Sequence, residues 1–246
     1  MISCKTLPLA ENRQLNASYR VLVVRDAEMA ANCRPGMFCE LKAAVPEQER
    51  KLFKPVSVYG VSGDEVSFLI KVIGPGTASL AALQPGDPLQ VLGLLGNGFP
   101  IVENKMVLLV SGGVGYPPLA YLREFLESDN DIHFLHGGAC AEDVFPCDEV
   151  FTDDGCAGKR GFVTDGVDKL LAEKNIDVVF SCGPLPMLKK LAQLVAPLPH
   201  YCSLEAYMAC GVGVCHGCAV PVGEDYSRVC KEGPVFEAAQ VRWGEI

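Results

Sequence analysis

Cys210, Cys215, Cys218 and Cys230 follow the spacing C-x4-C-x2-C-x11-C, the first three inside the stretch CGVGVCHGC (210–218). Thiolates grouped in this way do one of three kinds of chemistry: they hold structural zinc, cycle as a redox dithiol, or ligate an iron–sulfur cluster. Structural zinc usually takes two separated C-x2-C knuckles, and this stretch has one such pair. A dithiol leaves two of the four cysteines without a task. The x4 and x2 gaps are the spacing of plant-type [2Fe-2S] loops, in which a glycine-rich backbone wraps a flat two-iron rhomb. Gly211, Gly213 and Gly217 supply the required torsional freedom and let amide N–H groups approach sulfur. His216, inside the loop, reads as a surface residue. The spacing favours the cluster and leaves zinc and the dithiol as alternatives.

Upstream, other residues have the types needed for a phosphate-bearing cofactor. VLLVSGGVGYPPL runs from an apolar stretch through Gly112, Gly113 and Gly115 into a helical pattern, a geometry that offers backbone N–H groups to a phosphate or ribose. A tight glycine turn without a ligand looks the same. Cys182 and Gly183, in FSCGPLPML, fall where a strand ends before a helix, the edge at which open α/β sheets bind ligands. Lys54 and Lys71 could meet a pyrophosphate, and Ser57 and Thr77 could donate hydrogen bonds. A lysine on a strand is also what a solvated edge charge looks like.

These residues need elements to hold them. Up to about residue 100 the chain has short β-rich runs: YRVLVV (19–24), MFCELKA (37–43), VSVYGV (56–61), VSFLIKVI (66–73) and PLQVLG (88–93). SGDE makes the hairpin turn between the third and fourth. Strands this close, with little room for helices, predict a small antiparallel barrel. From residue 105 apolar runs alternate with helical patterns. Strands are expected at MVLLV, DIHFLH, EVFTDD and DVVFSCG, with helices after the glycine turn and near 165–173 and 186–195. In the first helix Leu119, Leu122, Phe125 and Leu126 form the expected apolar face. Such alternation predicts a parallel α/β sheet. APLPHY (196–201) reads as a linker. The expected organisation is β + α/β: an antiparallel barrel over 1–100, a parallel-sheet part over 101–200, and a small cysteine-rich part over 201–246.

Composition narrows the function classes. With 21 basic and 30 acidic residues the formal net charge is −9, which disfavours nucleic acid and anionic membrane as partners. The first residues lack a secretory layout, and the most apolar stretch (106–122) is too short and too rich in glycine and proline to span a bilayer. A cytoplasmic protein is expected. In that compartment stable disulfides are rare, so clustered cysteines among the 12 should hold metal. The scattered ones (Cys4, Cys33, Cys39, Cys140, Cys147, Cys156, Cys202) read as small buried apolar residues.

KPVSVYG (54–60) resembles the flavin-binding R-P-x-S of ferredoxin-reductase-type proteins, and VSGGVGYPPL with FSCGPLPML is similar to their pyridine-nucleotide half. SLEAYMACGVGVCHGCAV and VCKEGPVF resemble the iron–sulfur electron-transfer subunits of NAD-linked dihydroorotate dehydrogenases, as do LLGNGF (94–99) and TDDGCAGKRGFVTD (152–165). The resemblance implies an FAD site on Lys54, Pro55, Val56, Ser57, Leu69, Ile70, Lys71, Gly76 and Thr77. It implies NAD as substrate at Gly112, Gly113, Gly115, Asp153, Cys182 and Gly183, with Cys182 near the nicotinamide and flavin rings. Asp153 and Asp154 would repel a 2′-phosphate. The cluster would be held by Cys210, Cys215, Cys218 and Cys230. Lys54 stands where the family has arginine, which keeps the charge and loses the bidentate fork. The implied partner is an FMN-containing catalytic subunit that oxidises dihydroorotate, in a heterotetramer, with no catalytic acid or base on this chain. The nearest rival is the small subunit of a ferredoxin-dependent NAD(P)H oxidoreductase or sulfide dehydrogenase, a group in which the first cluster position tends not to be cysteine. A rival of another class is a non-catalytic module with structural zinc.

Absorption separates these readings. The purified protein is expected to be yellow to red-brown and to contain iron, sulfide and flavin; a colourless, zinc-containing protein would exclude the cluster.

Overall fold

A computed structural model describes residues 2–45 and 52–246. Six strands close a barrel in the order β1-β2-β5-β4-β3-β6: β1 (Ser3–Gln14), β2 (Tyr19–Arg25), β3 (Phe38–Ala43), β4 (Lys54–Ser62), β5 (Glu65–Lys71) and β6 (Pro88–Leu95). Every pairing is antiparallel. Five of the strands are the apolar runs read from sequence. The sixth, β1, went unread because SCKTLPLAENRQ places one fully buried side chain, Leu9, among half-exposed and exposed ones. Its pairing with β2 and β6 supplies what its side chains do not.

The runs of β2, β3 and the middle of β5 are nearly continuous because both faces are covered there, whereas β4 and β6 alternate. Leu22 and Val24 of β2, with Phe68 and Ile70 of β5, fill the barrel interior. Val21, Val23 and Leu69 point outward into a second apolar layer against the nucleotide half. Two short helices, α1 (Ala27–Asn32) and α2 (Pro75–Ala82), fit into barrel connections where the strand spacing leaves little room for helices.

The second part is a seven-stranded sheet, β10-β9-β8-β7-β11-β12-β15. The strands β7 (Met106–Gly112), β8 (Asp131–Gly138), β9 (Glu149–Thr152), β10 (Lys159–Arg160), β11 (Val178–Cys182) and β12 (His200–Ser203) are parallel; β15 (Val235–Glu237) pairs antiparallel with β12. Helix α3 (Tyr116–Leu126) covers one face, and α4 (Val163–Glu173) and α5 (Leu185–Leu194) cover the other. Residues 107–110 alternate between the two layers, which makes MVLLV apolar throughout.

Three expectations are corrected. Phe125 is exposed, lying about 240° around the helix from Leu119 and off the face that Leu119, Leu122 and Leu126 turn to the sheet; Tyr121, about 200° around, is buried because the barrel core covers that side of the helix. APLPHY is only partly a linker, since His200 and Tyr201 already pair with β11. Of the scattered cysteines, Cys33, Cys39 and Cys202 are buried and Cys147 half-buried, whereas Cys4, Cys140 and Cys156 are exposed.

The cysteine-rich segment contributes β12 and β15 to the sheet and forms one hairpin of its own, β13 (Ala219–Val222) with β14 (Asp225–Arg228). This hairpin occupies the x11 gap. Among the described residues no helix is long and apolar enough to cross a membrane.

His200 is buried at 4% exposure, with its Nε2 2.7 Å from Ser181 Oγ. Burial lowers its pKa from 6.5 to about 4. A depressed folded-state pKa means that the unfolded chain takes the proton first, so stability present above pH 6.5 falls as the pH drops toward 4. Thermal melting is expected to decline across that window, and His200→Gln is expected to flatten the decline.

Candidate redox-cofactor sites

Three groups of residues gather where the parts meet. On the barrel, Lys54 opens β4 and its side chain lies across Gly76: a Cβ built on Gly76 would be 2.2 Å from Lys54 Cε. The lysine and the start of α2, distant in sequence, thus share one surface. Pro55 is exposed and Ser57 half-buried beside them. Val56 and Ile70 turn their side chains into the barrel interior, and Leu69 turns into the layer facing the nucleotide half. These three can offer a ligand only backbone. The Thr77 hydroxyl is engaged by its own helix, accepting from the Ile73 and Gly74 amides at 3.0 and 3.2 Å.

Lys71, at the end of β5, is engaged across the junction. Its Nζ donates to Asp143 Oδ1 at 2.6 Å, in a cleft of about 720 Å³ at the C-terminal edge of the parallel sheet. Asp143 is 2% exposed and also accepts from Tyr19 Oη at 2.7 Å and the Ala139 amide at 3.2 Å. Burial pushes this carboxyl up, but the hydrogen bonds from Lys71 and Tyr19 outweigh it and hold the group below the usual carboxylate range. Its backbone oxygen lies 2.5 Å from His136 Nε2, whose Nδ1 is 2.7 Å from Ser111 Oγ. Barrel and sheet are thereby joined by a continuous polar chain next to the glycine turn.

Gly112, Gly113, Asp153 and Gly183 line the same cleft. Gly115 and Cys182 do not. They pack on each other: a Cβ on Gly115 would sit 2.3 Å from the Cys182 carbonyl oxygen, so only glycine allows α3 to start this close to β11. The Cys182 side chain is 2% exposed in the layer between barrel and sheet, and burial drives its thiol well above the ordinary range. Asp154 is outside the cleft lining. Sequence reading missed Gly137 and Gly138, which end β8, and Met187 and Lys190 on α5. The doubled glycine after DIHFLH was a readable signal; Met187 and Lys190 had none.

The cysteine loop is built around two pairs of thiols. The Cys215 amide is 3.4 Å from Cys210 Sγ, and the Cys230 amide is 3.5 Å from Cys218 Sγ. Among the described residues no three Cys, His, Asp or Glu side chains close on one point as in a mononuclear metal site. Gly211 and Gly213 take left-handed torsions, with φ of +66° and +78°. Gly217 does not; His216 does, at +58°, and the Gly217 amide approaches Cys215 Sγ at 3.4 Å. Burial raises the Cys210 thiol, yet the amides of Cys215, Val212 and Val214 prevail and bring it down to about 6. Burial and the neighbouring Cys218 push the Cys230 thiol up to about 12. Arg228 ties the loop, donating from Nη1 to the Gly213 carbonyl at 2.6 Å while paired with Glu232. Paired thiols, a thiolate-stabilising set of amides and a glycine cradle fit a two-iron cluster.

The family model described as "Iron-sulfur cluster binding domain of dihydroorotate dehydrogenase B" matches residues 205–242. A relative named dihydroorotate dehydrogenase B (NAD(+)), electron transfer subunit, from Bacillus velezensis is 43% identical, covering 84% of this chain and 86% of its own. The protein of the same name from Geobacillus kaustophilus is 36% identical over 95% and 99% of the two chains. The chain belongs to this family of electron-transfer subunits. A solved NADH-dependent reduced ferredoxin-NADP oxidoreductase structure superposes with a TM-score of 0.87 at 27% identity, covering 98% of this chain and 91% of that one. A ferredoxin reductase of carbazole 1,9a-dioxygenase shares the fold, with a TM-score of 0.65 at 22% identity. In this protein the polar chain through Asp143 links the barrel to the sheet.

Removing the Asp143 carboxylate leaves the buried Tyr19 hydroxyl without its acceptor, at a cost of about 1–3 kcal/mol, while the Lys71 ammonium, 31% exposed, can turn to solvent. Asp143→Ala is expected to lower the denaturation midpoint and to weaken NADH binding several-fold in a direct titration. Asp143→Asn, which keeps an acceptor for Tyr19, is expected to lose less of both.

Proposed function

We propose that this chain is the electron-transfer subunit of a cytoplasmic dihydroorotate dehydrogenase complex, linking an FMN-containing catalytic subunit to NAD+ in pyrimidine biosynthesis. The observation that carries the reading is the co-occurrence, in one chain, of a paired four-thiol loop, a barrel surface with Lys54 over Gly76, and a glycine-lined cleft at a parallel-sheet edge. The proposed working parts are residues 1–100 for FAD, 101–200 for NAD and 201–246 for the [2Fe-2S] cluster, the last tied into the sheet by β12 and β15.

When bound, the flavin exchanges hydride with nicotinamide and single electrons with the cluster. The protein's residues bind and orient. Cys210, Cys215, Cys218 and Cys230 would ligate the irons, with the loop amides facing their sulfurs. Lys54 and Ser57, with backbone from Pro55, Val56, Leu69, Ile70 and Gly76, would hold FAD; Thr77 would serve by fixing the start of α2. Gly112, Gly113 and Gly183 would take the dinucleotide against backbone, and Asp153 would face its ribose and disfavour a 2′-phosphate. Gly115 and Cys182 would act at one remove, by setting how closely α3 starts to β11. Lys71, anchored by Asp143 at the cleft, would complete the FAD site from the end of β5. Tyr207 and Val214, 98% and 76% exposed beside the thiol loop, mark the face proposed for the catalytic subunit in a heterotetramer.

Identities of 36–43% to dihydroorotate dehydrogenase B subunits, against 27% to the ferredoxin-NADP oxidoreductase structure, support this reading over the ferredoxin-dependent rival. Cys210 at the first cluster position supports it too. No residue set suited to a pyrimidine is read in the chain. The purified subunit is therefore expected to reduce an artificial dye with NADH and to leave dihydroorotate untouched until the catalytic subunit is added. Turnover of dihydroorotate by the lone subunit would overturn the assignment.

A further inference from the structure

Glu40 lies in the middle of β3, paired with Pro55 on β4 and Leu92 on β6. Its neighbours Cys39 and Leu41 point into the barrel interior. By strand alternation Glu40 therefore points outward, from the wall on which the cysteine-rich segment packs. Phe38, two residues earlier on that face, lies in the apolar layer that contains Cys218 and Cys230. A carboxyl in such a place would ordinarily be solvated or paired. Glu40 is 1% exposed, and neither Oε1 nor Oε2 has a hydrogen-bond partner among the described residues.

What covers it is the thiol loop. A Cβ built on Gly211 would lie 2.9 Å from Glu40 Cγ and 3.0 Å from Oε1, so the loop backbone beside Cys210 rests on this side chain. The charged and titratable groups that act on it are Lys54, from the proposed flavin surface, and Cys210. Burial pushes the carboxyl up to about 7 against the pull of Lys54. Leaving a buried polar group unpaired costs about 1–3 kcal/mol, and most such groups in native proteins have a partner. An apolar residue would fill the wall without that cost. The unmet hydrogen-bonding capacity thus points to a group that occupies the junction when the protein is loaded.

We propose that Glu40 is a positioning residue for the iron–sulfur cluster: its carboxyl makes the polar contact between the barrel wall and the loaded loop at Cys210–Gly211, and so helps set the cluster's reduction potential. The inference rests on the proposed cluster assignment. Hydrogen bonding around the sulfurs tunes such potentials, and the unpaired Glu40 carboxyl lies against the loop backbone beside Cys210. The flavin lies across Lys54 in this reading, and its potential is not expected to depend on Glu40.

The test is an EPR-monitored redox titration of the full-length, cofactor-loaded chain, with flavin and iron content measured alongside. Glu40→Met is expected to shift the cluster midpoint by about a tenfold change in its one-electron equilibrium, which is about 59 mV. Glu40→Gln keeps the length and one oxygen but makes the other head atom a donor. It is expected to give a smaller, resolvable shift in the same direction, with the flavin midpoint unmoved in both variants. A folded Glu40→Met chain that keeps its flavin but fails to load iron also supports the proposal. If Glu40→Met does not fold, Glu40→Gln decides. A Glu40→Gln midpoint equal to that of the unsubstituted chain, or a shift confined to the flavin, overturns it. Absence of a [2Fe-2S] signal from the unsubstituted chain would instead sink the cluster assignment itself.

Discussion

One apolar layer holds the arrangement together. Phe38 and Leu95 of the barrel, Leu188 of α5, and Cys218, Cys230 and Phe236 of the last segment pack as a single buried cluster. Each part of the chain contributes to it, and none could bury these side chains alone. Close packing makes this contact stiff, because an interior at crystal-like density has no room for one part to slide on another. Redox partners that exchange electrons directly need such stiffness, since their separation must not vary.

The polar contacts are placed against this apolar frame. Asp143 is reached from the barrel by Tyr19 and Lys71 and from the sheet by Ala139, so one carboxylate gathers three donors from two parts. Arg228 does similar work in the cysteine segment, reaching back from the end of β14 to the Gly213 carbonyl. Both are charge-assisted bonds in partly dry surroundings, where they are stronger than at an open surface. The apolar layers fix how near the parts lie, and the polar groups fix their register.

Much of the fold was legible because burial leaves a pattern. The main sheet strands and β2 read as apolar runs since both of their faces are covered, and β4 and β6 were legible from their alternation. β1 was missed because it forms with few apolar side chains, its backbone pairing being decided by neighbours elsewhere in the chain. Phe125 was misplaced and Tyr121 overlooked because helical periodicity marks a face without saying what lies opposite. β12 was hidden behind two prolines.

The sequence by itself determined the chemistry available: four thiols at cluster spacing, glycine turns at strand ends, and lysines on barrel strands. These are local facts, set by residue type and by separations of a few positions. Only the tertiary structure decided which groups meet. It put Lys54 over Gly76, bound Lys71 to Asp143, withdrew Cys182 into a buried layer, and laid Gly211 on the unpaired carboxyl of Glu40. Each of these contacts joins residues far apart in the chain. Their distances follow from how strands and helices pack, and no local pattern carries that information.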